Sequence, residues 1–89
     1  MSSYAVRLLE SAIRDFARLD KSVAQRISNR LEWFAAHLPE LRAEPLAGDL
    51  TGFFKLRIGD YRVIYEIREP ECLLIVHAVG HRREIYRTR

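Results

Sequence analysis

The chain has 89 residues, 48% hydrophobic and 30% charged, a balance that suits one folded domain over 1–89 and excludes intrinsic disorder. A single cysteine, Cys72, excludes an internal disulfide and a thiolate-paired zinc site, and no apolar run nears the ~20 residues that span a bilayer, so a cytoplasmic protein away from membranes is expected. The formal charge of +3 is unevenly placed: residues 1–50 carry seven basic and seven acidic side chains and residues 51–89 eight and five, a bias that suggests a polyanionic partner.

Tyr4, Val6 and Leu8 alternate with Ala5 and Arg7, which predicts a first strand. The period then changes. Ile13, Phe16 and Leu19 recur at helical spacing and predict a short amphipathic helix with those three inward. Asp20 is placed to cap a second helix, whose Val23, Ile27, Leu31, Phe34 and Leu38 form one apolar stripe, with Lys21, Gln25, Arg26 and Asn29 off it and Pro39 as its stop. Trp33, beside the stripe, reads as a core or rim aromatic.

Glu40 to Gly52, with Pro45 and Gly48, reads as a connection. Beyond it the pattern is β. Phe54, Leu56 and Ile58 alternate with Phe53, Lys55 and Arg57; Gly59 and Asp60 then make a two-residue turn of type II′, and Tyr61, Val63, Tyr65 and Ile67 alternate after it. A last strand, Cys72 to Val79, is apolar on both faces and is expected in the middle of the sheet. The architecture predicted is α+β, with two N-terminal helices packed on one face of a small antiparallel sheet.

A two-residue turn sets the hairpin register, so Ile58 should face Tyr61, Arg57 face Arg62, Leu56 face Val63 and Lys55 face Ile64. Phe54, Leu56, Ile58, Tyr61, Val63 and Tyr65 then share the face under the helices, and Lys55, Arg57 and Arg62 share the open one. Like charges directly opposite on paired strands destabilise by up to ~1 kcal/mol. Three cations so arranged suit a bound anion, a phosphodiester backbone above all, or else form a solvated face with splayed side chains. The run from Gly80 to Arg87 either brings an imidazole, guanidiniums and a phenol to the edge of this same basic face, or is a basic tail with Ile85 and Tyr86 anchored in the core.

The run KLRIGDYRVIY from Lys55 to Tyr65, followed by a strand and VGHRREIY from Val79 to Tyr86, resembles the signature of the RelE branch of the RelE/ParE toxin superfamily, and the order of elements agrees over almost the whole chain. That resemblance implies a RelE-like fold and a toxin of a type II toxin-antitoxin system. It further implies a RelB-like antitoxin in a hetero-oligomer with the toxin, and a ribosome-dependent endonuclease that cuts messenger RNA in the ribosomal A site and so inhibits translation. Carried over position by position, it makes Arg62 the arginine that stabilises the attacked phosphate. Arg82, interchangeable with Arg83, becomes the second arginine, Tyr86 the tyrosine that orients or stacks on the message, and Lys55 one of the lysines that assist the nucleophile. The second lysine position is occupied by Phe53, and the segment from Gly80 to Tyr86 is shorter than in the best-studied type.

The chemistry implied is attack of a ribose 2′-hydroxyl on its adjacent phosphate. The enzyme must hold that nucleophile in line, neutralise charge on phosphorus and move protons, without metal or cofactor. Arg62 and Arg82 supply charge, Lys55, His81 and Tyr86 positioning or proton transfer, and Arg57, Arg83 and Arg87 contacts to RNA. His81 either shares the proton transfer or makes a phosphate or backbone hydrogen bond. His37, His77 and His81 show no ligand spacing with Cys72 or carboxylates. Two alternatives stand beside the enzyme: a ParE-like inhibitor that binds DNA gyrase, and an inactive toxin-like domain that only binds RNA or protein.

Overall fold

The computed structural model describes residues 4–38, 44–45, 52–68 and 71–85. In chain order these form β1 (Ala5–Leu8), α1 (Glu10–Ala17), α2 (Lys21–Ala36), β2 (Glu44–Pro45), β3 (Phe54–Ile58), β4 (Tyr61–Arg68) and β5 (Leu73–His81). The strands make one sheet in the order β1-β5-β4-β3-β2. The α+β architecture with helices on one face is the expected one, but the sheet is mixed: β1 runs parallel to β5, and the remaining pairs are antiparallel. Alternation marks a strand without giving its direction. A parallel pair needs a long crossover, and the whole chain from α1 to β4 supplies it.

α2 packs as its stripe predicts, with Ile27, Leu31, Phe34 and Leu38 buried in one core with Val63, Tyr65, Leu74, Val76 and Val79 of the sheet. Asp20 is the N-cap residue by position; its side chain makes no capping bond, and its carbonyl accepts from the Ala24 N–H at 2.8 Å. Pro39 and most of the connection, 40–43 and 46–51, lie outside the described residues. Within that connection Glu44 and Pro45 form β2 against Lys55 and Phe54, an edge position where proline is tolerated.

The apolar face of α1 differs from the expected one. Ala12 is fully buried, Phe16 and Leu19 pack on the core, and Ile13 is 52% exposed. The cause is the edge of β5 beyond its pairing with β1. Ser11 Oγ donates to the His77 carbonyl at 2.7 Å, and Asp15 Oδ2 accepts from the Val79 N–H at 2.9 Å. Backbone groups at a sheet edge demand partners, and turning Ser11 and Asp15 toward them turns Ile13 out. Trp33 is a rim aromatic, between the Arg30 guanidinium at 4.7 Å and the His37 ring at 4.1 Å.

The β3–β4 hairpin has the expected register, Ile58 with Tyr61, Arg57 with Arg62, Leu56 with Val63 and Lys55 with Ile64. Gly59 has φ +60°, and Cys72 is the only non-glycine residue with positive φ among those described, so Asp60 keeps negative φ as a type II′ turn requires. A Cβ at residue 59 would meet only Arg26 Nη2 at 3.8 Å, so Gly59→Ala is opposed by backbone conformation rather than by space. Gly59→Ala is expected to lower unfolding free energy by about 1–2 kcal/mol, read as a lower urea midpoint with an unchanged slope. An unaltered midpoint would show the turn to be tolerant.

β5 is central, between β1 and β4, and runs from Leu73 to His81. It starts one residue later than expected, because Cys72 takes the left-handed conformation (φ 55°) in the preceding turn. The second sheet face is not wholly open. Ile85 folds back onto Ile64 and Ala78, with Phe53 beside them, and all but Phe53 are buried. Gly80 permits this approach: a Cβ there would stand 3.1 Å from Ile85 Cδ1. Of the expected anchors of the tail, Ile85 is buried against the second face and not in the main core, and Tyr86 lies outside the described residues.

Candidate functional site

Two arginines from separate segments are fastened to the Gly59–Asp60 turn. Arg62, half-buried at the start of β4, donates from Nη1 to the carbonyls of Gly59 and Tyr61, both at 3.0 Å. Arg82 follows β5. Since Tyr61 pairs with His81 in the β4–β5 ladder, the next residue must lie against the turn, and the Arg82 N–H donates to the Asp60 carbonyl at 2.7 Å. Arg82 Nε also stands 3.5 Å from Asp60 Oδ1, with both side chains more than half exposed, where an ion pair contributes little. Arg57 faces Arg62 across the hairpin and is exposed. Asp60 thus stands beside the Arg82 guanidinium, with Arg62 and Arg57 on the same hairpin, an arrangement of cations suited to an anion.

Lys55 lies two residues before Arg57, half-buried, between Glu44 on β2 and Ile64 on β4 in the register. Arg83 is exposed, while Tyr86 and Arg87 lie outside the described residues. His81 does not share a face with Arg62, contrary to expectation. β5 stays paired to its last residue, so alternation sets His81 beside Tyr61 and leaves Gly80 beside Arg62. The His81 ring meets the Tyr61 ring edge-on at 5.5 Å, and both line a cavity of about 420 Å³ with Asp15, Arg18 and Glu84. His81 Nδ1 accepts the Arg83 N–H at 3.1 Å. That bond requires an unprotonated Nδ1, so the neutral ring carries its proton on Nε2 and presents a donor.

A cluster that sequence reasoning missed occupies the far end of the second face. Glu66 Oε1 is 2.6 Å from His77 Nε2, Glu66 Oε2 accepts from Arg68 Nε at 2.8 Å, and the Phe53 ring meets His77 edge-on at 4.7 Å. The ladder steps from Ala78 to Val76 between Ile64 and Tyr65, so His77 is the extra residue of a bulge. A bulge leaves no mark in simple alternation. Hydrogen bonds from Arg68, then from His77, hold the Glu66 carboxyl below the usual carboxylate range. A carboxyl with a depressed folded-state pKa contributes stability above its unfolded value, lost as pH falls through the folded one. Glu66→Gln should therefore be less stable than the parent at about pH 7, the gap closing toward about pH 3. Urea midpoints across that range check this, and a gap independent of pH would contradict it. Among the described residues no three His, Cys, Asp or Glu side chains form a metal-binding group.

Fold and site together define a small α+β protein whose sheet holds guanidiniums from two strand ends around one turn. The family model of the ParE toxin of type II toxin-antitoxin systems matches residues 6–86. Toxin RelG of Mycobacterium tuberculosis is 30% identical over 94% of this chain and 97% of its own length. Toxin RelE of the same organism is 30% identical over 94% of this chain and 87% of its own. Among solved structures, the RelBE2 toxin-antitoxin complex of M. tuberculosis matches with TM-score 0.84 and 27% identity over 94% of this chain and 97% of that one. The isolated RelE toxin of E. coli shares the fold, with TM-score 0.72 and 21% identity over 89% and 84%. The chain belongs to the RelE/ParE family of type II toxin-antitoxin toxins.

Proposed function

We propose that this protein is a RelE-type toxin: a cytoplasmic, metal-independent endonuclease that cuts messenger RNA on the ribosome and is held inactive by a RelB-like antitoxin in a hetero-oligomer. The observation that carries this reading is the fastening of Arg62 and Arg82, from distant segments, to one turn beside Arg57. In the reaction the ribose 2′-hydroxyl attacks the neighbouring phosphate and the 5′-oxygen leaves, so negative charge grows on phosphorus and its oxygens. Preorganised guanidiniums stabilise that charge without reorganisation cost. Lys55, on the Arg57 face of β3, serves as base or charge stabiliser for the 2′-hydroxyl. His81, whose Nδ1 accepts the Arg83 N–H, serves through its Nε2–H as a hydrogen-bond donor to the message beside the turn. Arg57, Arg83 and Arg87 contact the RNA backbone, and Tyr86 orients the message. The antitoxin assignment is supported by the structural relatives solved as complexes, RelBE2 of M. tuberculosis and RelBE of E. coli among them.

The test is to add purified protein to a translation reaction and map message ends with and without ribosomes. Fragments with 5′-hydroxyl and cyclic phosphate ends, formed only with ribosomes, are the expected outcome; intact message refutes the reading. The family model's description as a ParE toxin favours one second reading, inhibition of DNA gyrase. Under it message stays intact while supercoiling by purified gyrase stops.

A further inference from the structure

A third arginine reaches the same turn from the helical layer. Arg26 lies on α2, off the apolar stripe and next to the fully buried Ile27, which fixes that turn of helix against the sheet. Its Nη2 stands 3.8 Å from where a Cβ would be on Gly59, the residue whose carbonyl accepts from Arg62. Asp60, the one carboxylate of the turn, is engaged by Arg82, and among the described residues Arg26 makes no ion pair. Three guanidiniums from α2, β4 and the segment after β5 thus bracket two backbone residues.

We propose that Arg26 is an RNA phosphate contact: Arg62 and Arg82 hold the phosphate undergoing attack, and Arg26 takes an adjacent phosphodiester where the message passes from the sheet to the α2 side of the turn. The inference rests on the RNA-cleaving reading above. It separates binding from chemistry, because Arg26 touches a phosphate that does not react and so acts equally on ground and transition states.

The experiment measures single-turnover cleavage on programmed ribosomes against toxin concentration at several salt concentrations, for the parent, Arg26→Gln and Arg30→Gln. Arg30 is the control of equal charge one helical turn on, engaged with Trp33. Matched urea midpoints establish that the variants fold. For Arg26→Gln we expect a half-saturating concentration raised about five- to tenfold, a salt dependence shallower by about one unit of log–log slope, and an unchanged rate at saturation. Arg30→Gln should keep the parental slope. The inference is overturned if Arg26→Gln matches the parent, or if Arg30→Gln shifts as far, since the effect would then be one of net charge. A parent protein that cuts no message overturns the RNA-cleaving reading itself, and this inference with it.

Discussion

Arg62→Ala should abolish most message cleavage, by about 10²–10³-fold in the rate at saturation, while leaving a folded protein. The magnitude is that of removing one preorganised charge-stabilising donor from a developing oxyanion. The structure explains why folding is spared. Arg62 serves two local carbonyls, the exposed one of Gly59 and the part-buried one of Tyr61, which water at the turn can take over, and losing Arg62 relieves its register opposition to Arg57. The two effects are each on the order of 1 kcal/mol and opposite in sign. Single-turnover cleavage on programmed ribosomes, with a urea titration of the same sample, checks both halves. Parental cleavage by the variant would remove Arg62 from the mechanism.

Tyr65→Ala is expected to have the largest effect on stability. Tyr65 is fully buried, its ring edge-on to Phe34 at 5.6 Å and tilted against Phe54 at 5.7 Å. It joins α2 to the centre of the sheet beside the β4–β5 bulge. Truncating a buried aromatic costs about 3–5 kcal/mol, a large share of the ~5–15 kcal/mol that holds a domain, and small domains sit low in that range. The isolated variant should show a sharply lowered urea midpoint or no cooperative transition. Tyr65→Phe, which keeps both ring contacts, should lose far less. A midpoint for Tyr65→Ala within a few tenths molar of the parent would show that the core can close around the gap.

The hairpin is legible in the sequence because a two-residue turn leaves one register and alternation then sorts each side chain to a face, which sets Arg57 opposite Arg62. The α2 stripe was legible for the same reason, since one face meets one core. Four features were not. The direction of β1 depends on which strand it joins, a contact with no local signal. The inward face of α1 was misread because polar Ser11 and Asp15, which a periodicity argument assigns to water, are bound to the edge of β5. The sharing of a face by His81 and Arg62 failed because β5 stays paired to His81, two residues beyond the strand end expected at Val79. Arg26 went unnoticed because it joins the turn through space, from a helix whose outer face carries several cations.

The pairing of β1 with β5 also orders events in time. Ala5 pairs with Leu73 and Leu8 with Val76, so the first strand synthesised waits for the last one to emerge, and contacts so distant in sequence form slowly. Until then α1 has no edge to bind and Asp60 has no Arg82 N–H. The α2 helix and the β3–β4 hairpin can form from local sequence, but the cluster of arginines is assembled only when β5 arrives. Under the proposed function a growing chain therefore cannot yet hold a message at the turn, and in the interval before closure an antitoxin can reach the hairpin first.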